Sequence, residues 1–508
     1  MLIKMIFLVC FFTIMISVGV YSRKHATNVG DFVLGGRAVG PWLTAFAYGT
    51  TYFSAVVFVG YAGQFGWKYG VSATWIGIGN ALIGSLLAWV VLGRRTRVMT
   101  HHLKSTTMPD FFGSRYDSKA LRIVASAITF IFLVPYTASV YNGLSRLFGM
   151  AFDIPYWVCV VAMAVLTGIY VILGGYMATA INDFIQGIIM LIGIVAVIAA
   201  VLHNNGGFME AISSLAQLKS DIPATVGQPG VFASFFGPDP VNLLGVVILT
   251  SLGTWGLPQM VHKFYTIKNE QAIKTGTIIS TAFALIISGG CYFLGSFSRL
   301  YDSAAIYKTD GSIAFDAIVP QMLSTLSNML IGIVIVLVLS ASMSTLASLV
   351  MTSSSTLTLD FIKGNIVKEM SEKKQLFTMR VMIAVFIIIS VILALDPPTF
   401  IAQLMGISWG ALAGSFLAPF LYGLYWKRVT KLAVWASFAC GVGITISNLF
   451  LKYFSSPINA GAFAMVAGLI IVPVVSILTP KMKSDKVKDI FSCYEETVTV
   501  HTKKSIEE

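Results

Sequence analysis

Charged residues are scarce in this chain. Of its 508 residues only 11% are Asp, Glu, Lys or Arg, whereas 56% are hydrophobic, and the mean hydropathy is +0.82. Soluble domains carry roughly a quarter charged residues. The composition therefore excludes an ordinary soluble protein and indicates a membrane protein with many spans.

Cysteine is also rare, and the five cysteines are far apart in the sequence. No CxxC pair and no His/Cys cluster is present, which argues against a disulfide framework and a zinc site. The sequence also lacks the GxSxG, P-loop and HExxH motifs, so nothing in it supports an enzyme. We accordingly expect no organic cofactor.

Apolar runs of about 20 residues recur from end to end, and each is long enough to cross the hydrocarbon core of a bilayer. We count thirteen such runs. The first is too long for the apolar region of a signal peptide and has no cleavage motif after it, so we expect it to be retained. The sequence predicts an all-α polytopic membrane protein with about 13 transmembrane helices.

The net charge of +12 lies mostly on one side of the predicted bundle. With the N-terminus outside, the inner segments hold 27 Lys and Arg, Lys263 among them, and the outer loops hold 5. This asymmetry follows the positive-inside rule. It predicts a multi-pass plasma-membrane protein with a cytoplasmic C-terminus, whose partner is the bilayer rather than nucleic acid.

Two of the predicted spans carry interruptions near their middle. The second span contains the residues GTT at 49–51, and the seventh contains Gly253, Gly256 and Pro258. Proline breaks the helical hydrogen-bond pattern, and unwound backbone inside a membrane must face protein or a wet cavity. The glycines alone could serve close helix packing. Two interrupted helices five spans apart instead favour a transporter with inverted repeats and a binding site at the midplane.

The ninth predicted span, 325–350, runs into a segment rich in hydroxyl side chains, with nine Ser or Thr residues within 340–355. On a helix, residues 341, 344 and 345 share one face. Ser344 and Thr345 can offer side-chain oxygens there, and the Ala341 carbonyl can join them. Hard cations such as sodium prefer oxygen ligands. The alternative, that these hydroxyls only pack a tight helix interface, stays open on the residues alone.

Asp183 is the one acidic residue that the predicted spans place near membrane depth. A carboxylate in that position is costly and usually functional. It could also cap the start of the sixth span together with Asn182, and the residues by themselves favour the cap.

These motifs resemble those of the sodium/solute symporter family, which includes bacterial sodium/proline and sodium/pantothenate symporters. The resemblance is carried by the segments at 31–42, 174–183, 256–259 and 341–345 and by the layout of the spans. It implies a leucine-transporter-like fold built from two inverted five-helix repeats.

The resemblance also implies how the chain is divided. The repeats would cover 41–203 (spans two to six) and 241–425 (spans seven to eleven). An extra helix at 1–24 would precede them, and two helices at 431–479 would follow. The charged tail at 480–508 is expected to be cytoplasmic and disordered.

Carried over residue by residue, the resemblance implies a site for Na+ as the coupling ion. Its oxygens would be the carbonyls of Thr50, Phe53 and Ala341 and the hydroxyls of Ser344 and Thr345. The resemblance also assigns Asp183 to the path by which sodium is released, in place of the cap.

The substrate pocket departs from that of the proline carriers. Tyr52 stands where they have an aspartate, and Thr250 and Thr254 stand where they have Trp and Tyr, whereas Tyr136 matches. We expect the pocket to be lined by Thr51, Tyr52, Tyr136, Thr254 and Trp255.

The sequence as a whole predicts a sodium-coupled secondary symporter that imports a small organic solute by alternating access. The solute would be an amino acid such as proline or a carboxylate such as pantothenate. Two alternatives remain: a solute sensor that does not transport, and a proton-coupled carrier, for which Asp183 is the sole candidate acid.

Overall fold

The computed structural model describes residues 2–22, 28–152, 154–363, 365–367 and 369–495. This part of the chain is almost entirely helical, and no β-strand forms within it. The first ten helices are α1 (Leu2–Ser22), α2 (Val29–Leu34), α3 (Pro41–Tyr52), α4 (Ala62–Tyr69), α5 (Thr74–Gly79), α6 (Arg94–His102), α7 (Met108–Arg115), α8 (Lys119–Phe152), α9 (Tyr156–Asn204) and α10 (Phe208–Gln217). The remaining ten are α11 (Pro240–Gly256), α12 (Pro258–Thr266), α13 (Glu270–Ser296), α14 (Phe315–Ser324), α15 (Asn328–Thr356), α16 (Glu372–Leu395), α17 (Ile401–Tyr425), α18 (Lys431–Leu451), α19 (Pro457–Leu478) and α20 (Ser484–Ser492).

Ten helical stretches of the described chain are long and apolar enough to cross a membrane, or eleven if the bent pair α11–α12 counts as one span. This criterion does not confirm the predicted count of thirteen. Two stretches are long enough for two crossings of about 20 residues each: Val56–His102 has 47 residues, and α9 has 49. Non-helical backbone interrupts them at Gly70 (φ 59°) and Gly175 (φ 58°), where a positive φ favours glycine.

Polar residues in the loops fix where several long helices begin. The Asp239 carboxylate accepts from the Asn242 amide at 3.2 Å, and Pro240 occupies the first turn of α11. Ser327 caps α15 in the same way by accepting from the Leu330 amide at 3.4 Å. Such caps satisfy amide groups that have no partner inside the helix.

The segment predicted as a disordered tail contains helix α20. Its residues Val487, Ile490 and Phe491 are buried, and the Phe491 ring lies 4.9 Å from the Arg115 guanidinium. The prediction of disorder is wrong for this helix, because its few apolar residues share one face and dock against the loops between the spans. Residues 496–508 lie outside the described residues.

Helices α4 and α13 cross with their backbones in contact. A Cβ added to Gly66 would overlap the Gly295 carbonyl, and a Cβ added to Gly295 would overlap the Ala62 carbonyl. Small residues at such crossings let membrane helices approach closely. The crossing positions α4, which continues the second span, against the rest of the bundle.

We expect Gly295→Ala to lower the melting temperature of the purified protein, because the added methyl group forces two backbones apart and overpacking costs about 1–3 kcal/mol. Gly289→Ala on the same helix is the matched control, since a Cβ there meets no atom within 4 Å. Equal melting temperatures for the two variants would contradict this account of the crossing.

Candidate functional site

The second span is interrupted just after α3. Phe53 and Ser54 are non-helical, and Phe53 has extended backbone (φ −113°, ψ 104°). The amide of Ala55 donates to the Ser342 hydroxyl at 3.3 Å. The carbonyls of Thr50 and Thr51 are therefore freed, since their usual partners are the amides of residues 54 and 55.

The interruption was predicted at 49–51, and that position is wrong by a few residues. Gly49 lies within regular helix, where its missing side chain makes room for the ring of Phe283. The actual break has no glycine or proline, and its backbone is held by a side chain of α15. A local sequence signal could not have located it.

The second predicted interruption is confirmed. Helices α11 and α12 meet at an angle of 45°, with extended backbone at Leu257 and Pro258 in the first turn of α12. Gly256 lies against the backbone of α17, where a Cβ would approach Ala413 Cα and Leu417 N to 2.8 Å. Proline and close packing together account for this break.

Hydroxyl and carbonyl oxygens converge where α3 ends against α15. The Thr345 hydroxyl lies 3.2 Å from the carbonyl oxygens of both Thr50 and Thr51, and 3.1 Å from that of Ala341. The Ser344 hydroxyl donates to the Thr50 hydroxyl at 2.7 Å. All five residues are at most 2% exposed. We call these five residues the oxygen cluster.

The oxygen cluster has more acceptors than donors. The single proton of the Thr345 hydroxyl cannot satisfy the freed carbonyls of both Thr50 and Thr51, and buried carbonyls without partners are costly. A hard cation with oxygen ligands would satisfy the same atoms. The residues present thus fit a sodium ion.

The structure brings together four of the five predicted sodium ligands, namely Thr50, Ala341, Ser344 and Thr345. The fifth, Phe53, lines a small cavity together with Ala341, and no hydrogen bond joins it to the oxygen cluster. The carbonyl of Thr51 belongs to the cluster as well, although the sequence assigned Thr51 to the substrate pocket.

Asp183 lies inside the part of α9 that follows the interruption at Gly175, about two turns after it, so the interpretation of Asp183 as a helix cap is wrong. The side chain is 1% exposed, and neither carboxylate oxygen has a hydrogen-bond partner of good geometry. The Ser344 hydroxyl lies beside it. Lys263 Nζ lies 3.9 Å from its Oδ2 atom. A buried acid therefore adjoins the oxygen cluster.

Lys263 was counted among the charges of the inner segments, and that assignment is wrong. It lies within α12 with only 2% of its side chain exposed. Its ammonium donates to the Ser348 hydroxyl at 3.0 Å, and that hydroxyl is 2.9 Å from the Thr51 hydroxyl. The predicted seventh span ended too early, so the sequence missed this residue.

Two of the predicted substrate residues meet at an aromatic side chain that the sequence did not single out. The ring centroid of Trp409 lies 6.1 Å from that of Tyr52 and 5.8 Å from that of Tyr136. The Tyr52 ring also stacks on Phe53 at 4.2 Å. The only signal for Trp409 was its position in the glycine-rich segment 406–414. These rings lie directly beside the break.

The other predicted substrate residues make contacts elsewhere. The Thr254 hydroxyl donates to the Gly84 carbonyl at 3.0 Å, and Trp255 Nε1 donates to the Ile83 carbonyl at 3.0 Å. Both bonds hold α11 against the stretch Val56–His102. The Thr51 hydroxyl pairs with Ser348. In the described structure, the Trp255 ring makes no aromatic contact with the rings of Tyr52, Tyr136 and Trp409.

Comparison with known proteins gives a consistent result. The model of the sodium:solute symporter family matches residues 32–441. Among curated relatives, the sodium/proline symporters of Staphylococcus aureus strains JH9 and NCTC 8325 are each 28% identical over 490 residues, covering 94% of this chain and 92% of theirs.

Two solved structures share the fold. A Na+-coupled sialic acid symporter in a substrate-bound outward-open state aligns with a TM-score of 0.75 at 19% identity, covering 95% of this chain and 98% of that one. A nucleobase-cation-symport-1 family transporter in a closed conformation aligns with a TM-score of 0.52 at 12% identity, covering 90% and 97%. The predicted leucine-transporter-like fold is confirmed, while the boundaries of its repeats stay predictions.

The family model covers most of the chain, and the sequence relatives span nearly all of it. The family consists of transporters rather than enzymes. This chain belongs to the sodium:solute symporter family.

Proposed function

We propose that the oxygen cluster, formed by Thr50, Thr51, Ala341, Ser344 and Thr345, binds the sodium ion that drives solute import by this symporter. The observation that carries the proposal is the convergence of three backbone carbonyls on the Thr345 hydroxyl, at 3.1–3.2 Å. The Phe53 carbonyl, which the resemblance adds, is a further proposed ligand because Phe53 shares a cavity with Ala341.

One sodium ion per solute would support useful accumulation. A tenfold sodium gradient is worth about 1.4 kcal/mol, and a membrane potential of about 100 mV adds roughly 2.3 kcal/mol for each charge. Together these terms support roughly 500-fold accumulation of a neutral or zwitterionic solute. The direction we propose is inward across the plasma membrane, with the N-terminus outside and the C-terminus in the cytoplasm.

The coupling we propose runs through the end of α3. Thr50 and Thr51 belong to the oxygen cluster, and the ring of Tyr52 follows them directly toward Trp409. The Tyr52 hydroxyl also donates to the Thr250 carbonyl on α11 at 2.6 Å, which links the two interrupted spans. Sodium in the cluster would hold the break in one conformation and thereby fix the aromatic rings that receive the solute. Inward opening would then expose Asp183 and release the ion.

The proposed solute is a small amino acid or carboxylate, with L-proline as the first candidate. The Staphylococcus aureus relatives are named for proline. The rings of Tyr52, Tyr136 and Trp409 offer an apolar surface for a small ring or chain. The N-terminus of α12 at the break favours a carboxylate, because the amides there carry partial positive charge. A carboxylate such as pantothenate is the alternative.

We expect the double variant Ser344→Ala/Thr345→Ala to raise the sodium concentration for half-maximal uptake by about 10- to 100-fold, since a polar contact to a charged group contributes about 1.5–3 kcal/mol. Uptake would be measured in proteoliposomes over a sodium series. The control is Ser354→Ala, because the Ser354 hydroxyl bonds only to carbonyls of its own helix, Val350 at 2.7 Å and Met351 at 3.2 Å. An unchanged sodium dependence in the double variant would remove the oxygen cluster as the site.

We expect proteoliposomes to accumulate labelled L-proline under an inward sodium gradient and not under an inward potassium gradient. Failure to accumulate proline, with sodium still raising the melting temperature of the purified protein, would keep the ion site and exclude proline. Pantothenate would then be measured in the same assay. Accumulation driven by a pH gradient without sodium would contradict sodium coupling and favour the proton-coupled alternative. A solute that binds but is never accumulated would favour a sensor.

A further inference from the structure

Asp183 and Lys263 form a buried pair of opposite charges. Their side chains are 1% and 2% exposed, and Lys263 Nζ lies 3.9 Å from Asp183 Oδ2. The distance is long for a charge pair, and neither Asp183 oxygen has a hydrogen-bond partner of good geometry. Buried pairs are weak contributors to stability, since apolar residues of similar volume often serve as well. The position of the pair therefore calls for a role other than packing.

Both members of the pair reach the oxygen cluster. The Asp183 carboxylate lies beside the Ser344 hydroxyl. The Lys263 ammonium donates to the Ser348 hydroxyl, which in turn pairs with the hydroxyl of Thr51. Ser348 follows Thr345 by almost one turn toward the predicted inner end of α15. An ion that leaves the cluster toward the inner side would thus meet this pair.

We propose that Lys263 is a tethered cation that competes with sodium for Asp183. This inference rests on the proposed sodium site. Without Lys263, Asp183 would be an unpaired carboxylate beside the cluster and would hold the ion tightly, because charges attract strongly where water is excluded. With Lys263 in place, the ammonium already neutralises the carboxylate. The affinity for sodium is therefore lower, and the ion dissociates more readily.

The geometry of Lys263 suits this exchange. Its ammonium sits between two alternative partners, the Ser348 hydroxyl at 3.0 Å and the Asp183 carboxylate at 3.9 Å. A lysine side chain is a compact charge on a flexible stem of four carbons. It can move toward Asp183 when sodium leaves and back to Ser348 when sodium arrives. Lys263 is thus a positioning residue for the ion and is not itself a ligand.

The test is the equilibrium binding of radioactive sodium to the purified full-length protein. We expect Lys263→Gln to tighten the dissociation constant for sodium by about tenfold, within the range usual for coupled sites. In an Asp183→Asn background the same substitution should leave the constant unchanged within about twofold, because Lys263 acts through the carboxylate. Lys263→Arg keeps the charge and should bind sodium much as the wild type does.

Three results would overturn the inference: an unchanged constant in Lys263→Gln, the same tightening in the Asp183→Asn background, or tightening in Lys263→Arg. If Lys263→Gln alone does not fold, the double variant Lys263→Gln/Asp183→Asn is compared with Asp183→Asn alone. A difference in sodium affinity between these two proteins overturns the inference. A wild-type protein that does not bind sodium would refute the proposed sodium site, and this inference with it. Wild-type binding with no effect of Lys263→Gln would refute the inference alone.

Discussion

The non-helical backbone at Phe53 and Ser54, which frees the carbonyls of Thr50 and Thr51, is the constraint on which the rest of the site depends. Carbonyls without partners are not tolerated against lipid, so a break in the second span must lie against a polar neighbour. Helix α15 supplies that neighbour. The Ser342 hydroxyl accepts a hydrogen bond from the amide of Ala55, and the Thr345 hydroxyl contacts the freed carbonyls of Thr50 and Thr51. The hydroxyls of Ser342 and Thr345 in α15 thus supply polar partners for the backbone groups that the break after α3 leaves free.

Three groups of side chains lie next to one another at the interrupted span: aromatic rings, the oxygen cluster and a buried charge pair. The aromatic rings of Tyr52 and its neighbour Trp409 lie on one side of the oxygen cluster, and the buried pair of Asp183 and Lys263 adjoins it through Ser344 and Ser348. In the proposed assignment, one helix end would carry both the ring that receives the solute and the carbonyls that bind the ion, so a change in the break would affect both sites. Coupling then needs no long-range pathway, only a break whose conformation both ligands bias.

The sequence allowed prediction of the parts that follow from local chemistry. The length of the apolar runs predicted the all-α membrane class, and Pro258 predicted the second break. Helical spacing predicted that Ala341, Ser344 and Thr345 share one face. The parts that depend on tertiary contacts were missed. The first break lies at Phe53 and Ser54, where the sequence has no glycine or proline. A side chain from another helix, Ser342, holds the backbone there. Lys263 was assigned to an inner loop, because hydropathy cannot distinguish a lysine at a membrane surface from one buried against an acid.

The most direct test of the account is hydrogen exchange of the purified protein in sodium compared with potassium. If sodium binds where α3 ends against α15, peptides covering residues 46–58 and 340–350 will exchange more slowly in sodium, because the ion ties the broken backbone to the hydroxyl-rich helix. Peptides from the helices at 431–478 will exchange equally in both. Protection confined to other regions, or no difference between the two ions, would contradict the claim that the break in the second span forms the ion site.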